Sequence, residues 1–205
     1  MKYWDKRIEI FGADRAFLPL TLDGALKDDV DGVLLGFGRC NDAMVDDNGR
    51  RILFVDPSLL DHEKYSRLTI CRALWYVLHA ILEDETTQKR GIVFCGYAHK
   101  AKFANIDRPL MKMNMESIKG CIPVRVGSFH LCRPPSFFKV VFPIMKVLMG
   151  ARLRARVKVY FGDNGSILEK LAKFGIRKSS IPSELGGNIV LDQELWVEDR
   201  KAAGL

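Results

Sequence analysis

The chain has 205 residues, of which 48% are hydrophobic and 28% charged. This composition is typical of a globular protein and excludes general disorder, and the length suits one large core better than two full domains. The formal net charge of +7 favours acidic partners, namely anionic lipid, nucleic acid or a phosphorylated ligand, without choosing among them.

The five cysteines indicate a reducing compartment. Their number is odd and none lies in a CxxC pair, which favours free, mostly buried thiols. Charged residues interrupt the initial segment MKYWDKRIEIFG, which is therefore unlike a secretory signal. No run of about 18 apolar residues occurs that would span a bilayer. We therefore expect a cytoplasmic protein.

The first part of the chain is predicted to begin with a helix over residues 3–11, followed by a loop over residues 16–31. Residues 32–39 and 51–55 are apolar runs typical of strands. Between them, the sequence DDNG at residues 46–49 indicates a tight hairpin, because an Asn-Gly pair accepts positive φ.

A long helix is predicted next, from Asp61 as N-cap to about Leu82. Apolar residues recur there at helical spacing and form one stripe: Leu68, Cys71, Trp75, Leu78 and Leu82.

Strands and helices then alternate to the end of the chain. Strands are predicted at residues 91–97, 124–131 and 157–161. Helices are predicted at residues 108–119, 136–149 and 167–174, with a closing loop at residues 181–187. This alternation predicts an α/β architecture with a largely parallel sheet.

The segment FFKVVFPIMKVLM, residues 137–149, is apolar around almost the whole helical cylinder. Only Lys139 and Lys146 are polar, and their spacing of seven places them on one face. Pro143 should kink the helix or loosen one turn. Two interpretations remain open: a crossover helix packed on the sheet, or a movable lid over an apolar cavity.

A basic segment, RLRARVK at residues 152–158, follows immediately. Its four cations share one face in an extended chain, whereas on a helix Arg152 and Arg156 still share a face. Such clustering fits a solvated surface. It also fits a phosphate site, because like charges repel unless an anion is present and the guanidinium fork suits phosphate.

Signatures of enzymes and of metal sites are weak. Gly36-Phe37-Gly38 is a lone GxG, the spacing of Asp42, Asp46 and Asp47 fits a hairpin better than a calcium loop, and Cys95 with His99 lacks an activating group. Aromatic residues lie mostly in apolar segments, which does not favour nucleic acid binding. We expect no catalytic residue, cofactor, metal or nucleic acid partner.

The order of these parts is similar to a known family. The run from Ile122 to Phe161 resembles the C-terminal half of CRAL-TRIO domains, in which a strand, a proline, an apolar gate helix containing a lysine, a basic segment and a last strand follow one another. Here the proline is Pro135 and the lysine is Lys146. The ending IPSELGG, residues 181–187, matches the closing pattern of the family. The resemblance covers about residues 1–192 and looks closest to the α-tocopherol transfer protein and retinaldehyde-binding branch.

The resemblance implies a lipid-binding fold with a largely parallel sheet as its floor and an apolar gate helix. Family ligands are single hydrophobic molecules, whether phospholipid, tocopherol-like or retinoid-like. We therefore expect a non-enzymatic, monomeric protein that associates transiently with membranes. Residues 1–23 would be a remnant of the N-terminal helical lobe, residues 24–195 the lipid-binding domain and residues 196–205 a C-terminal tail.

Two sets of site residues follow from the resemblance and the pattern together. The ligand would lie against apolar side chains of the sheet and the gate helix: Phe94, Phe129, Leu131, Phe138, Val141, Phe142 and Met145. A phosphoinositide would bind basic residues beside the gate: Arg125, Arg152 and Arg156.

The sequence also departs from the family at several positions. A further basic position of that cluster falls on Gly127, and the positions that hold inositol in the phosphatidylinositol-transfer branch fall on Val124 and Leu153. The alternative function is a regulatory membrane-recruitment module that binds phosphoinositide without transferring lipid.

Overall fold

A five-stranded sheet forms the centre of the computed structural model, which describes residues 2–205. The strands lie side by side in chain order: β1 (Gly38–Arg39), β2 (Arg51–Val55), β3 (Ile92–Tyr97), β4 (Val126–Cys132) and β5 (Val157–Tyr160). Strands β1 and β2 are antiparallel, and every later pair is parallel. The predicted α/β architecture with a largely parallel sheet is therefore confirmed.

The described residues contain eight α-helices: α1 (Lys2–Phe11), α2 (Val30–Leu34), α3 (Arg67–Ile81), α4 (Glu85–Arg90), α5 (Arg108–Gly120), α6 (Phe138–Arg154), α7 (Asn164–Ala172) and α8 (Gln193–Ala202). Helices α3, α5 and α6 cover one face of the sheet together with α1, whereas α7 and the segment after it cover the other.

Both faces of the central strands are buried, as a parallel sheet requires. Along β3, Phe94 points into the layer of α3, α5 and α6, while Val93 and Cys95 point into the layer of α7. This is the two-residue period of a strand. It explains why β3 is a continuous apolar run with every residue buried.

The predicted strand at residues 32–39 is wrong for most of its length. Residues Val30–Leu34 are helical, and only Gly38–Arg39 pair with β2. The cause is the packing of α2 on α3: a Cβ on Gly32 would lie 2.7 Å from the Thr69 side chain, so a glycine is required at the closest approach of the two helices.

The N-cap predicted for α3 is also wrong. Ser66 is the cap, and its Oγ accepts a hydrogen bond from the Thr69 N–H at 3.1 Å. Asp61 instead accepts from the Glu63 N–H in a preceding turn. The predicted Asn-Gly turn does form: Gly49 has φ 70°, and its N–H donates to the Asp46 carbonyl at 2.8 Å.

Helix α8 was not predicted from the sequence. It lies on α3, where the Trp196 ring contacts the Tyr76 ring edge-on at 5.9 Å and Arg200 donates to the Tyr76 hydroxyl and pairs with Glu83. Most of the segment predicted as a tail, residues 196–202 of 196–205, is therefore helical. The segment boundaries at residues 23 and 195 stay a prediction.

The layer under α7 contains a buried histidine. His130 is fully buried, with Nδ1 2.8 Å from the Tyr160 hydroxyl and Nε2 2.8 Å from the Ser128 hydroxyl. Burial and, to a smaller extent, the nearby positive charges of Arg50 and Lys158 together lower the pKa of His130 to about 4. The imidazole is therefore neutral at physiological pH, donating to one hydroxyl and accepting from the other.

We predict that acid destabilises the fold through His130. The unfolded histidine binds a proton near pH 6.5 and the folded one only near pH 4, so stability is complete above the unfolded pKa and falls between these values. The loss should reach about 3 kcal/mol at pH 4. Urea unfolding between pH 7 and pH 4 should show that the free energy of unfolding of wild type falls by about that amount relative to His130→Gln. The same pH dependence in both proteins would contradict a neutral, buried His130. His99→Gln, on the surface, controls for the loss of a histidine.

Candidate functional site

An apolar cavity lies between the sheet and helices α5 and α6. Its volume is about 120 Å³. This is below the volume of about 300–1,000 Å³ that is usual for small-molecule sites, so the cavity is narrow in this arrangement. The α5 wall comprises Leu110, Met111, Asn114, Met115 and Ile118.

Five of the seven side chains predicted to contact a ligand line this cavity: Phe94, Phe129, Leu131, Phe138 and Met145. The floor is formed by Phe94 and Phe129, whose rings stack with centroids 5.4 Å apart because β3 and β4 pair these residues directly. Phe138 and Met145 face the floor from α6, where they lie seven residues apart on one side of the helix.

Two predicted lining residues, Val141 and Phe142, lie outside the cavity wall. Val141 is 3% exposed and belongs to the packed core. Phe142 is half-buried, with its ring tilted against Phe138 and the Lys146 ammonium 4.5 Å from its centroid. Helical spacing assigns both residues to the inner side of α6, but it does not distinguish packed contacts from an open wall.

Three polar residues interrupt the apolar lining: Asn105, Asp107 and Asn114. The Asn105 amide donates to the Leu60 carbonyl at 2.7 Å. Asp107 caps α5 by accepting from the Leu110 N–H at 2.9 Å and pairs with Arg67 at 2.7 Å. The buried Oδ1 of Asn114 has no hydrogen-bond partner.

Helix α6, the predicted gate, has an apolar outer face as well as an apolar inner one. Val140 is 64% exposed and Val147 74% exposed, and Lys139 and Lys146 are exposed on the same helix. The helix is interrupted at Gly150, where φ is 70° and ψ is 173°. Its regular part therefore ends at Met149, the residue predicted from the sequence.

Beyond Gly150 lies a second hollow, which we call the basic depression. Its charged residues are Lys119, Arg125, Arg152 and Arg156, and its floor includes Val124, Met149, Gly150 and Leu153. The three arginines predicted to share a site thus line one hollow, whereas Arg154 does not. The break at Gly150 starts a new helical turn, so the predicted extended face for residues 152–158 is not formed before Val157.

The four cations of the basic depression are exposed, and within residues 2–205 none of them forms an ion pair with a carboxylate. Arg156 donates to the Val126 carbonyl at 2.6 Å and Lys119 to the Leu148 carbonyl at 3.3 Å, which fixes their positions without neutralising them. Four like charges in one hollow favour an anionic occupant.

Lys119 was not predicted from the sequence as a residue of the basic site. Its position at the end of α5 is the only feature of the sequence that could have indicated such a role. The basic position expected from the family falls on Gly127, where a Cβ would lie 2.5 Å from the Arg50 guanidinium. That guanidinium is bound to buried Asp46, with 2.7 Å between Nε and Oδ2. The fourth charge of the basic depression comes instead from Lys119, in the last turn of α5.

Comparisons with known proteins identify the family. The model of the CRAL/TRIO domain matches residues 43–187. The chain belongs to the CRAL/TRIO domain family. Human clavesin-2 is 25% identical over 190 residues, covering 91% of this chain and 54% of clavesin-2, so the chain spans about half the length of that relative. Mouse tyrosine-protein phosphatase non-receptor type 9 is 24% identical over 151 residues, 74% of this chain and 24% of the phosphatase.

The fold of this CRAL/TRIO domain agrees with that of a solved structure. The crystal structure of Sfh5 superposes with a TM-score of 0.61 at 15% identity, covering 98% of this chain and 75% of Sfh5, a likeness that shows the fold. The predicted family and fold are confirmed. The narrower resemblance to the tocopherol and retinaldehyde branch stays a prediction.

Two further chemical features of the CRAL/TRIO domain are its possible metal ligands and the state of its cysteines. Within the described residues, no group of three or more His, Cys, Asp or Glu side chains could hold a metal ion. Burial raises the pKa of Cys40 and of Cys71 to about 12, so both thiols are protonated at neutral pH. None of the described helices is both long and apolar enough to cross a bilayer.

We predict that Asp107 holds the α5 wall of the cavity in place. Asp107→Ala removes both the cap and the Arg67 contact, and should reduce the unfolding free energy by about 2 kcal/mol, given about 1 kcal/mol for a cap and up to about 1 for a partly exposed pair. Asp192→Ala, which removes only the cap of α8, is the matched control and should cost about 1 kcal/mol. Equal losses in urea unfolding would show that the Arg67 contact contributes nothing.

Proposed function

We propose that the protein binds one hydrophobic ligand in the apolar cavity and transfers or presents it at an anionic membrane surface. The observation that supports this most is the apolar cavity beneath a surface helix whose outer face is also apolar. A packed core helix has no reason to expose valines. A lid that enters lipid does, because apolar surface is costly in water and not in a bilayer.

The charge of α6 supports the same role. Lys139 and Lys146 are exposed beside Val140 and Val147, a combination typical of helices that lie in the membrane interface, where lysines meet anionic head groups. Phe103, 63% exposed, packs edge-on against Phe137 at the start of the gate and adds a further exposed apolar ring.

The basic depression supports a phosphoinositide site at the end of the gate. Arg125, Arg152 and Arg156 line it with Lys119, and a head group with several phosphates would relieve the repulsion among these charges. Val124 and Leu153, apolar residues on the floor, offer no hydrogen bond to an inositol ring. Recognition in the depression would therefore rest on charge more than on hydroxyl contacts.

We infer a cytoplasmic, monomeric, non-enzymatic protein that associates with membranes transiently. The second candidate function is a membrane-recruitment module that binds phosphoinositide without moving lipid. The separation of the basic depression from the cavity favours it, since among residues 2–205 only Ile118 lines both. A transfer assay between vesicles distinguishes the two functions.

We predict that Arg125→Ala, Arg152→Ala and Lys119→Ala each weaken binding to phosphoinositide-containing liposomes about ten- to a hundredfold, since each removes a charge-assisted contact of about 1.5–3 kcal/mol. Co-sedimentation measures this, and binding should fall as salt rises. Arg154→Ala is the matched control, because Arg154 lies on the same segment but outside the depression. Equal effects of all four variants, or equal binding to plain phosphatidylcholine, would refute the site.

We predict that Val147→Asp slows ligand transfer between vesicles at least tenfold, because a charged residue on the outer face of α6 opposes its entry into lipid. Val147 is 74% exposed, so the thermal unfolding midpoint should change little. Val190→Asp, at a valine 77% exposed elsewhere on the surface, should leave transfer unchanged. Normal transfer by Val147→Asp would mean that α6 does not act as the gate.

A further inference from the structure

Helix α5 presents a stripe to the cavity in which one residue does not fit the pattern. Leu110, Asn114 and Ile118 recur every four residues and all line the cavity. The two outer members are apolar and 2% and 6% exposed, and Asn114 between them is 5% exposed. An apolar residue is the expected choice at such a position.

The Asn114 side chain is also unsatisfied. Its Oδ1 is buried and accepts no hydrogen bond. The cavity wall around it is almost wholly apolar. The other two polar residues of the wall have partners elsewhere: the Asn105 amide donates to the Leu60 carbonyl, and the Asp107 carboxylate caps α5. A buried acceptor left unpaired incurs the full cost of its desolvation.

Elsewhere on α5 the fold satisfies its buried polar groups. Ser117, fully buried three residues further on, donates to the Met113 carbonyl at 2.9 Å and accepts from the Trp75 indole N–H at 2.9 Å. The other buried polar atoms without partners, on Arg7, Arg39 and Glu184, belong to side chains that make hydrogen bonds or ion pairs through another atom. Asn114 differs from them because it faces an open void.

We propose that Asn114 is the polar anchor for the ligand. The amide would accept from a hydroxyl or carboxyl group, or donate to a carbonyl after rotation about its terminal bond. The ligand class is then a long apolar molecule with one small polar group inside the cavity. The narrow cavity supports a small polar group, because its volume is only about 120 Å³.

This inference rests on the proposed function, because it requires a ligand in the cavity. It adds the selectivity that an apolar wall cannot provide. A wall of Leu, Met and Phe distinguishes hydrocarbons only by size and shape, whereas a ligand without a polar group leaves the Asn114 amide unpaired and is disfavoured.

The test is a competition between two probes of equal chain length. Delipidated protein is equilibrated with phosphatidylcholine vesicles that contain equal amounts of 1-hexadecanol and n-hexadecane, then reisolated and extracted, and the two probes are quantified by gas chromatography. We expect Asn114→Leu, which keeps the branched shape and the number of side-chain heavy atoms, to lower the retained ratio of alcohol to alkane about ten- to a hundredfold relative to wild type. The preference of the vesicles cancels, because both proteins face the same vesicles.

The matched control is Met113→Leu, an apolar change on the same helix at a residue outside the cavity wall, which should leave the ratio unchanged. Asn114→Leu should also raise the thermal unfolding midpoint, since it removes an unpaired polar group. If it fails to fold, Asn114→Ala, which only removes atoms, should show the same loss of preference.

Each outcome bears on a different claim. If wild type and Asn114→Leu retain both probes in the same ratio, the anchor is refuted and the cavity remains a lipid site. If wild type retains neither probe, both the anchor and the proposed function are refuted.

Discussion

The need to bury both faces of a parallel sheet determines the rest of this structure. One face is closed tightly by α7 and the segment after it, where Ile167, Leu171 and Ile176 are fully buried. The other face is covered by α3, α5 and α6 together with α1. These helices do not fill the space above the sheet completely, and the cavity, lined by Leu74 of α3 as well as by α5 and α6, is what they leave.

The break at Gly150 connects the cavity cover to the basic depression. Gly150 lines the depression, and Lys119 donates to the Leu148 carbonyl in the last regular turn of α6. Arg152 lies two residues beyond the break. Under the proposed function, an anion held by Lys119 and Arg152 would link α5 to the turn that follows the break at Gly150. Contact with a charged membrane would therefore act on the end of the gate helix. The positive φ of the glycine allows this break without strain.

The sequence was sufficient for the parallel part of the fold because its patterns are unambiguous. Strand β3 is an apolar run, β5 alternates apolar and polar residues at its start, and α6 is an apolar helix interrupted at a glycine. The run at residues 32–39 has the same composition as a strand, yet its first three residues lie in α2, which packs Gly32 against Thr69. A tertiary contact of this kind leaves no local pattern in a single sequence.

The arginines and most of the apolar walls of the candidate site were predictable from the sequence, but Lys119 and Asn114 were not. Arg125, Arg152 and Arg156 were found because they flank the gate in the sequence. Lys119 was not, because its approach to the depression depends on how α5 crosses α6. Asn114 had no indication either: within a Met-rich helix it looks like an ordinary surface amide, and only its burial and its missing partner distinguish it.

The two recognition tasks of the domain therefore use different chemistry in different places. In the basic depression, Val124 and Leu153 make the floor apolar, and the Arg50 side chain fills the space beside Gly127. Charge is therefore the main determinant of binding in the depression. Charge attracts any strongly anionic surface, is weakened by salt and selects poorly among head groups. A single amide in an apolar cavity has the opposite properties, because its hydrogen bond to a ligand would be shielded from salt. Under the proposed function, the membrane is thus chosen by long-range attraction and the ligand by one short-range contact, and either can change without the other.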